Sequence, residues 1–296
     1  MESLQKILGP VTFCKLKYKN TSIRIFGDLH VKQESIKKSD TTIVKYLSSV
    51  SSDPFYTKIY LEMGSQSESA LKVSWLADCV VRLSKHSKVE SLETQTGLYL
   101  LISYIRLTLT LFSSTSRIEW IRVLVCFDVF ARVLATNPAA IFNYYLTGEV
   151  TQTILNLYMP FTSSSSIFAV VDSSLYEWLK QLPEMEKVYV FERYTSLYTT
   201  RVTELLDAIR KCFTSITKDM ESEDVKVMGS LILRGLVNLL SVFSNLRILS
   251  KLMSASGNIV VYMGDAHAVE VISVLIDLGA IVESKYFNYT NQYVCI

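Results

Sequence analysis

The sequence predicts an α/β protein of the α+β kind: a central mixed β-sheet covered by helices, with a large helical region between two sheet-forming ends. Three observations carry this. Short apolar runs that stop at a glycine, SIRIF before Gly27 and NIVVYM before Gly264, lie near the two ends of the chain. Runs apolar on both faces are the pattern of strands inside a parallel sheet. Between about 66 and 252, apolar residues instead recur at helical spacing for several turns at a time. Only ten of the 296 residues are glycine, which leaves few places for tight turns.

The elements follow in order. Val11–Tyr18 has the composition of an edge strand, and Ser22–Phe26 is a second strand. The stretch SIKKSDTTIVKYLSSV, apolar at Ile36, Ile43, Val44, Tyr46 and Leu47, reads as a helix. Lys58–Leu61 (KIYL) is a further strand. The order strand, helix, strand suggests a parallel βαβ unit. Helices are expected over Glu68–Lys85, Thr94–Phe112, Arg117–Ala135, Ile141–Leu157, Ser166–Gln181, Ser196–Thr217 and Asp224–Ser254. Serine-rich breaks and Pro54, Pro138, Pro160 and Pro183 separate them. One strand, Lys187–Phe191 (KVYVF), is expected to interrupt this region. Then come the strand Asn258–Met263, a helix Ala268–Leu278 capped by Gly279, and closing strands at Ala280–Tyr286 and Gln292–Ile296. The organisation expected is one domain over 1–296. Residues 1–65 and 255–296 form the sheet core, with a strand near 187–191, and 66–252 form the helical cover.

Composition narrows the function classes. Lys+Arg number 30 and Asp+Glu 28, a net charge of +2, which gives no electrostatic footprint for nucleic acid. The five cysteines are widely spaced and odd in number, and none forms a Cys-x-x-Cys. This fits a reduced intracellular setting, cytoplasmic or nuclear. The N-terminal residues show no secretory signal, so a secreted protein is not expected. Mean hydropathy is +0.27, yet the most apolar stretch, Gly97–Phe112, is shorter than the ~20 residues a spanning helix needs and carries Arg106. No transmembrane segment is expected.

Chemistry points to the histidines. There are three, and two of them share one pattern: His30 in Gly27-Asp28-Leu29-His30 and His267 in Gly264-Asp265-Ala266-His267. Each directly follows an apolar strand. A histidine here has a chance of about 3% of glycine at minus three and about 4% of aspartate at minus two, so two such matches arise by chance on the order of a few times in 10⁶. His86, in RLSKHSKV, reads as a solvated residue at a helix end. Open parallel sheets bind ligands beyond the C-terminal ends of their strands. Gly27 and Gly264 let the chain turn off the sheet, and Asp28 and Asp265 cap a helix or orient an imidazole. Glu62 follows KIYL at a third strand end. Two readings stay open for His30, Glu62 and His267: ligands of a divalent metal, or a metal-free general base and acid. Arg193, in VYVFERY, is expected at a fourth strand end as an oxyanion or carboxylate binder beside Glu192.

These segments resemble the superfamily that joins TraB/TIKI proteins with ChaN and erythromycin-esterase-like proteins. The matching positions are Gly27–His30, Leu61–Glu62, Glu192–Arg193 and Gly264–His267, with Leu275 and Gly279 beyond. The resemblance implies a crevice holding both histidines. It also implies several activities: metal-dependent peptidase (Mn, Co, Fe or Zn), histidine-based esterase, or haem binding, of which haem is not expected here. The function read from these residues is a hydrolase of a peptide or small-molecule substrate, with His30, Glu62, Arg193 and His267 catalytic. The other reading is a catalytically retired structural or interaction protein, self-associating or binding a protein partner, of a kind that suits a divergent source such as a large DNA virus.

Overall fold

The structure is a computed structural model and describes residues 5–29, 41–62, 74–92, 117–147, 173–216, 222–289 and 293–296. The sequence-predicted helix Thr94–Phe112 lies outside these residues. Among the described residues, contacts divide the chain into two compact units, Met1–Thr94 with Arg247–Ile296, and Gln95–Leu246.

The first unit carries an α/β fold. Its strands are β1 (Lys6–Leu8), β2 (Thr12–Tyr18), β3 (Thr21–Asp28), β4 (Lys58–Leu61), β5 (Val89–Ser91), β6 (Gly257–Gly264), β7 (Ile281–Phe287) and β8 (Tyr293–Cys295). Six of them form one sheet in the order β5-β4-β6-β3-β2-β7, and β1 pairs with β8 in a second, two-stranded sheet. In the large sheet β5, β4, β6 and β3 run parallel. β2 lies antiparallel between β3 and β7.

Among the described residues, three helices lie wholly within this unit. Helix α1 (Ile43–Ser52) starts at Thr42, whose side chain accepts from the Lys45 N–H, and α2 (Trp75–Leu83) is capped in the same way by Ser74. Such caps satisfy a backbone donor that would otherwise be orphaned. Helix α8 (Asp265–Asp277) follows β6 without a linker and ends at Gly279, φ +91°. There Ala280 N–H donates to Leu275 O and Gly279 N–H to Ile276 O, the paired bonds of a Schellman turn. The core on one sheet face joins Phe26, Ile59, Leu61, Val260 and Tyr262 to α1 and α2, with the Phe26 and Tyr46 rings 5.4 Å apart.

The second unit is helical: α3 (Arg117–Thr136), α4 (Pro138–Thr147), α5 (Ser173–Gln181), α6 (Glu184–Thr214) and most of α7 (Ser222–Ser254). Phe142 is its aromatic centre, with Phe191, Tyr198 and Phe243 between 5.6 and 5.9 Å from it. Helix α7 is long and apolar enough to cross a membrane by length and composition alone. Its buried residues Met228, Ile232, Leu239, Val242, Leu246 and Leu249 recur every three or four positions or at multiples of that spacing, the stripe of a core helix.

Several expectations change. Lys187–Phe191 is not a strand but the first part of α6. KVYVF has strand-forming side chains, yet Val190, Tyr194, Tyr198, Val202, Leu205 and Ile209 are buried at intervals of three or four, and that continuous stripe decides for helix. Val11–Tyr18 is an interior strand, because β7 returns to its outer side. Its Lys15 and Lys17 alternate with buried Cys14 and Leu16, a half-buried pattern that does not encode position within a sheet. The helix expected around Ile36 begins only at Ile43 among the described residues. Helix α2 and β5, expected in the helical cover, complete the sheet unit.

Candidate active site at the parallel strand ends

Residues brought together at the sheet's C-terminal edge come from three adjacent strands. β6 lies between β3 and β4, so the two Gly-Asp segments fall on neighbouring parallel strands. Their register is offset by one: Gly27 pairs with Met263 and Asp28 with Gly264. Leu61 of β4 pairs with Tyr262, which sets Glu62 level with Met263, one residue before Gly264.

The offset gives the two Gly-Asp segments different geometries. Gly27 and Asp28 are the last residues of β3, whereas Gly264 ends β6 and Asp265 opens α8. The segments also interlock. A Cβ on Gly27 would lie 2.5 Å from Asp265 Oδ1, 3.1 Å from Asp265 Cα and 3.1 Å from Ala268 Cβ. Gly27 is therefore glycine because the first turn of α8 rests on its bare Cα.

Glu62 and His267 form the polar centre. Glu62 Oε2 accepts from the Gly264 N–H at 2.5 Å. Glu62 Oε1 lies 3.8 Å from His267 Nε2, and the two side chains are 12% and 18% exposed. One carboxylate oxygen is thus fixed by a backbone donor at the start of α8, where the helix dipole favours negative charge. The other faces the imidazole.

Asp28 lies on the opposite face. It is 1% exposed and shares the face of Phe26, by strand alternation, with Tyr262. Burial first, and then the Asp28 carboxylate beside it, hold the Tyr262 phenol well above its ordinary range. Glu62 raises the same phenol, less strongly, so Asp28 and Glu62 both act on Tyr262.

His30 lies outside the described residues, two positions beyond Asp28. Arg193 is half-buried in the middle of α6, in the second unit, and ends no strand. Glu192 lines a hollow of about 360 Å³ in that unit with Asn143, Tyr176, Leu179, Lys187 and Phe191. His86 follows α2, as expected. Among the described residues no three His, Cys, Asp or Glu side chains converge as a metal-binding group.

Three residues near the site escape the sequence reading: Tyr262, Thr12 and Tyr289. A tyrosine inside the apolar run NIVVYM is a signal for the first. Thr12 and Tyr289 are recruited by β2 and β7, whose places in the sheet the sequence does not encode. No family model, curated protein or solved structure matches the chain.

Proposed function

We propose that this chain is a hydrolase of peptide or ester bonds, in the manner of the TraB/TIKI and erythromycin-esterase-like proteins it resembles. The observation that carries the reading is the Glu62–His267 pair at adjacent parallel strand ends, with one Glu62 oxygen fixed by the Gly264 N–H and the other 3.8 Å from His267 Nε2. In this reading water attacks the carbonyl carbon, and Glu62 takes its proton at Oε1. The bond to the leaving group breaks as His267, protonated at Nε2, gives that proton to the group, and the proton held by Glu62 then passes to His267, which restores both side chains.

The pair also fits a divalent metal. Two donors about 2.1 Å from a tetrahedral ion stand about 3.4 Å apart, close to the 3.8 Å seen here. The Gly264 N–H holds the second Glu62 oxygen, the kind of outer contact that orients a ligating carboxylate. Glu62 and His267 would hold the ion, and His30 is the third ligand expected from the sequence. Bound there, a metal would acidify a water.

The test is turnover of a peptide and ester panel supplied in turn with Mn, Co, Fe and Zn. Wild type is expected to hydrolyse at least one member, and Glu62→Gln and His267→Ala to lose at least 100-fold of that rate while keeping the wild-type circular dichroism. Variants with wild-type turnover, or a wild type silent on the whole panel, would overturn the reading.

A further inference from the structure

The hollow of about 360 Å³ in the helical unit is lined from three helices, α4, α5 and α6. Its walls are apolar. Leu179 of α5 is buried, and the Phe191 ring of α6 lies 5.9 Å from that of Phe142, the aromatic centre of the unit. Val188, half-exposed, lines the hollow one turn before Phe191. Two cations reach the same space from different helices, Lys180 of α5 and Lys187 of α6. Glu192 is the one acid among the described lining residues, so the charge facing the hollow is one positive unit.

Each lysine holds a glutamate of its own helix outside the hollow. Lys180 Nζ is 2.9 Å from Glu177 Oε1 and 4.0 Å from the centre of the Tyr176 ring, and Lys187 Nζ is 3.3 Å from Glu184 Oε2. Those two glutamate side chains are 63% and 76% exposed, and pairs so open to water hold little energy, so an anion in the hollow competes with them. Apolar walls with a few placed polar groups are the make-up of small-ligand pockets, which run from roughly 300 to 1,000 Å³. The walls suit hydrocarbon, and two cations converging on one space suit a single anionic group. At the ~30 Å³ that a water-sized atom occupies, the hollow takes about twelve non-hydrogen atoms. We propose that it binds a carboxylate on a short hydrocarbon chain of about eight to ten carbons, the chain against Leu179, Val188 and Phe191 and the carboxylate between Lys180 and Lys187. This site shares no residue with Glu62 and His267, and it stands or falls independently of the hydrolase reading.

The test is isothermal titration calorimetry of the full chain with octanoate, 1-octanol and octylammonium. Octanoate is expected to bind with a Kd of about 1 mM or below, and at least about fivefold more tightly than the other two. The double variant Lys180→Gln/Lys187→Gln is expected to weaken octanoate at least about fivefold and to leave 1-octanol unchanged, which separates loss of charge from loss of fold. Glu192→Gln, which removes the opposing charge, is expected to tighten octanoate about twofold. Val188→Trp fills the hollow from a half-exposed wall and is expected to remove binding of both octanoate and 1-octanol while circular dichroism stays that of wild type. No binding of octanoate to wild type at about 10 mM, ten times that Kd, would overturn the proposal. So would equal affinity for the three ligands, which is the behaviour of an unselective apolar surface, or an octanoate affinity unchanged in both the double lysine variant and Val188→Trp.

Discussion

Replacing Gly27 with alanine probes the interlock of the two Gly-Asp segments directly. The new methyl would meet Asp265 Oδ1 at 2.5 Å and two less adjustable atoms, Asp265 Cα and Ala268 Cβ, at 3.1 Å. The carboxylate can rotate away. The helix backbone cannot, so α8 must lift from β3 by a few tenths of an ångström. Overpacking of this kind costs about 1–3 kcal/mol. Alanine in a strand recovers about 0.5–1 kcal/mol of backbone entropy relative to glycine. The steric term is the larger, and the net loss is about 1–2 kcal/mol, or roughly 2–8 °C in the melting of the first unit. Calorimetry on wild type and Gly27→Ala measures it. A double variant with Asp265→Ala, which removes the nearest atom, is expected to be less destabilised than the two single losses added, by at least about 0.5 kcal/mol. A Gly27→Ala protein as stable as wild type would refute the claim that α8 rests on this glycine.

Other expectations are narrower. Val188 is half-exposed on α6, so Val188→Ala is expected to leave stability within about 0.5 kcal/mol or raise it, since alanine is the better helix former; a loss above about 1 kcal/mol in urea unfolding would speak for a strand at KVYVF. Gly279→Ala places a side chain at φ +91° with open space around it, so it is expected to cost about 1–2 kcal/mol from backbone strain alone, read from the same unfolding curves. Burial raises the Cys14 thiol from 9.0 to about 11, with Lys285 opposing, and burial likewise raises Cys212 to about 11. Both should resist iodoacetamide at pH 8 in the folded chain and react once it is unfolded in urea. Above pH 9 the unfolded thiols ionise first, so these two groups lower stability as pH rises from about 9 toward 11.

Much of the sheet is legible in the sequence because its strands are short apolar runs with sharp ends. Lys58–Leu61 matches β4 residue for residue, and the Gly279 cap follows from the apolar periodicity that stops before it. That each Gly-Asp segment ends such a run is also legible. Strand order is not, because β6 enters between β3 and β4 from more than 190 residues away and nothing local marks that insertion. Arg193 shows the opposite failure. Four β-favouring residues, Val188–Phe191, suggest a strand, and only the longer stripe from Val190 to Cys212 reveals the helix. The Glu62–Gly264 bond depends on the β4–β6 register, a tertiary fact that composition does not contain.

The most direct test of the strand-end site is elemental analysis of the purified protein after reconstitution with Mn, Co, Fe and Zn, with wild type beside Glu62→Gln and His267→Ala. Near-stoichiometric binding of one metal in wild type, lost in both variants, is the result expected if these two side chains form the hydrolytic centre. Equal metal content in wild type and variants, together with unchanged turnover, would contradict it.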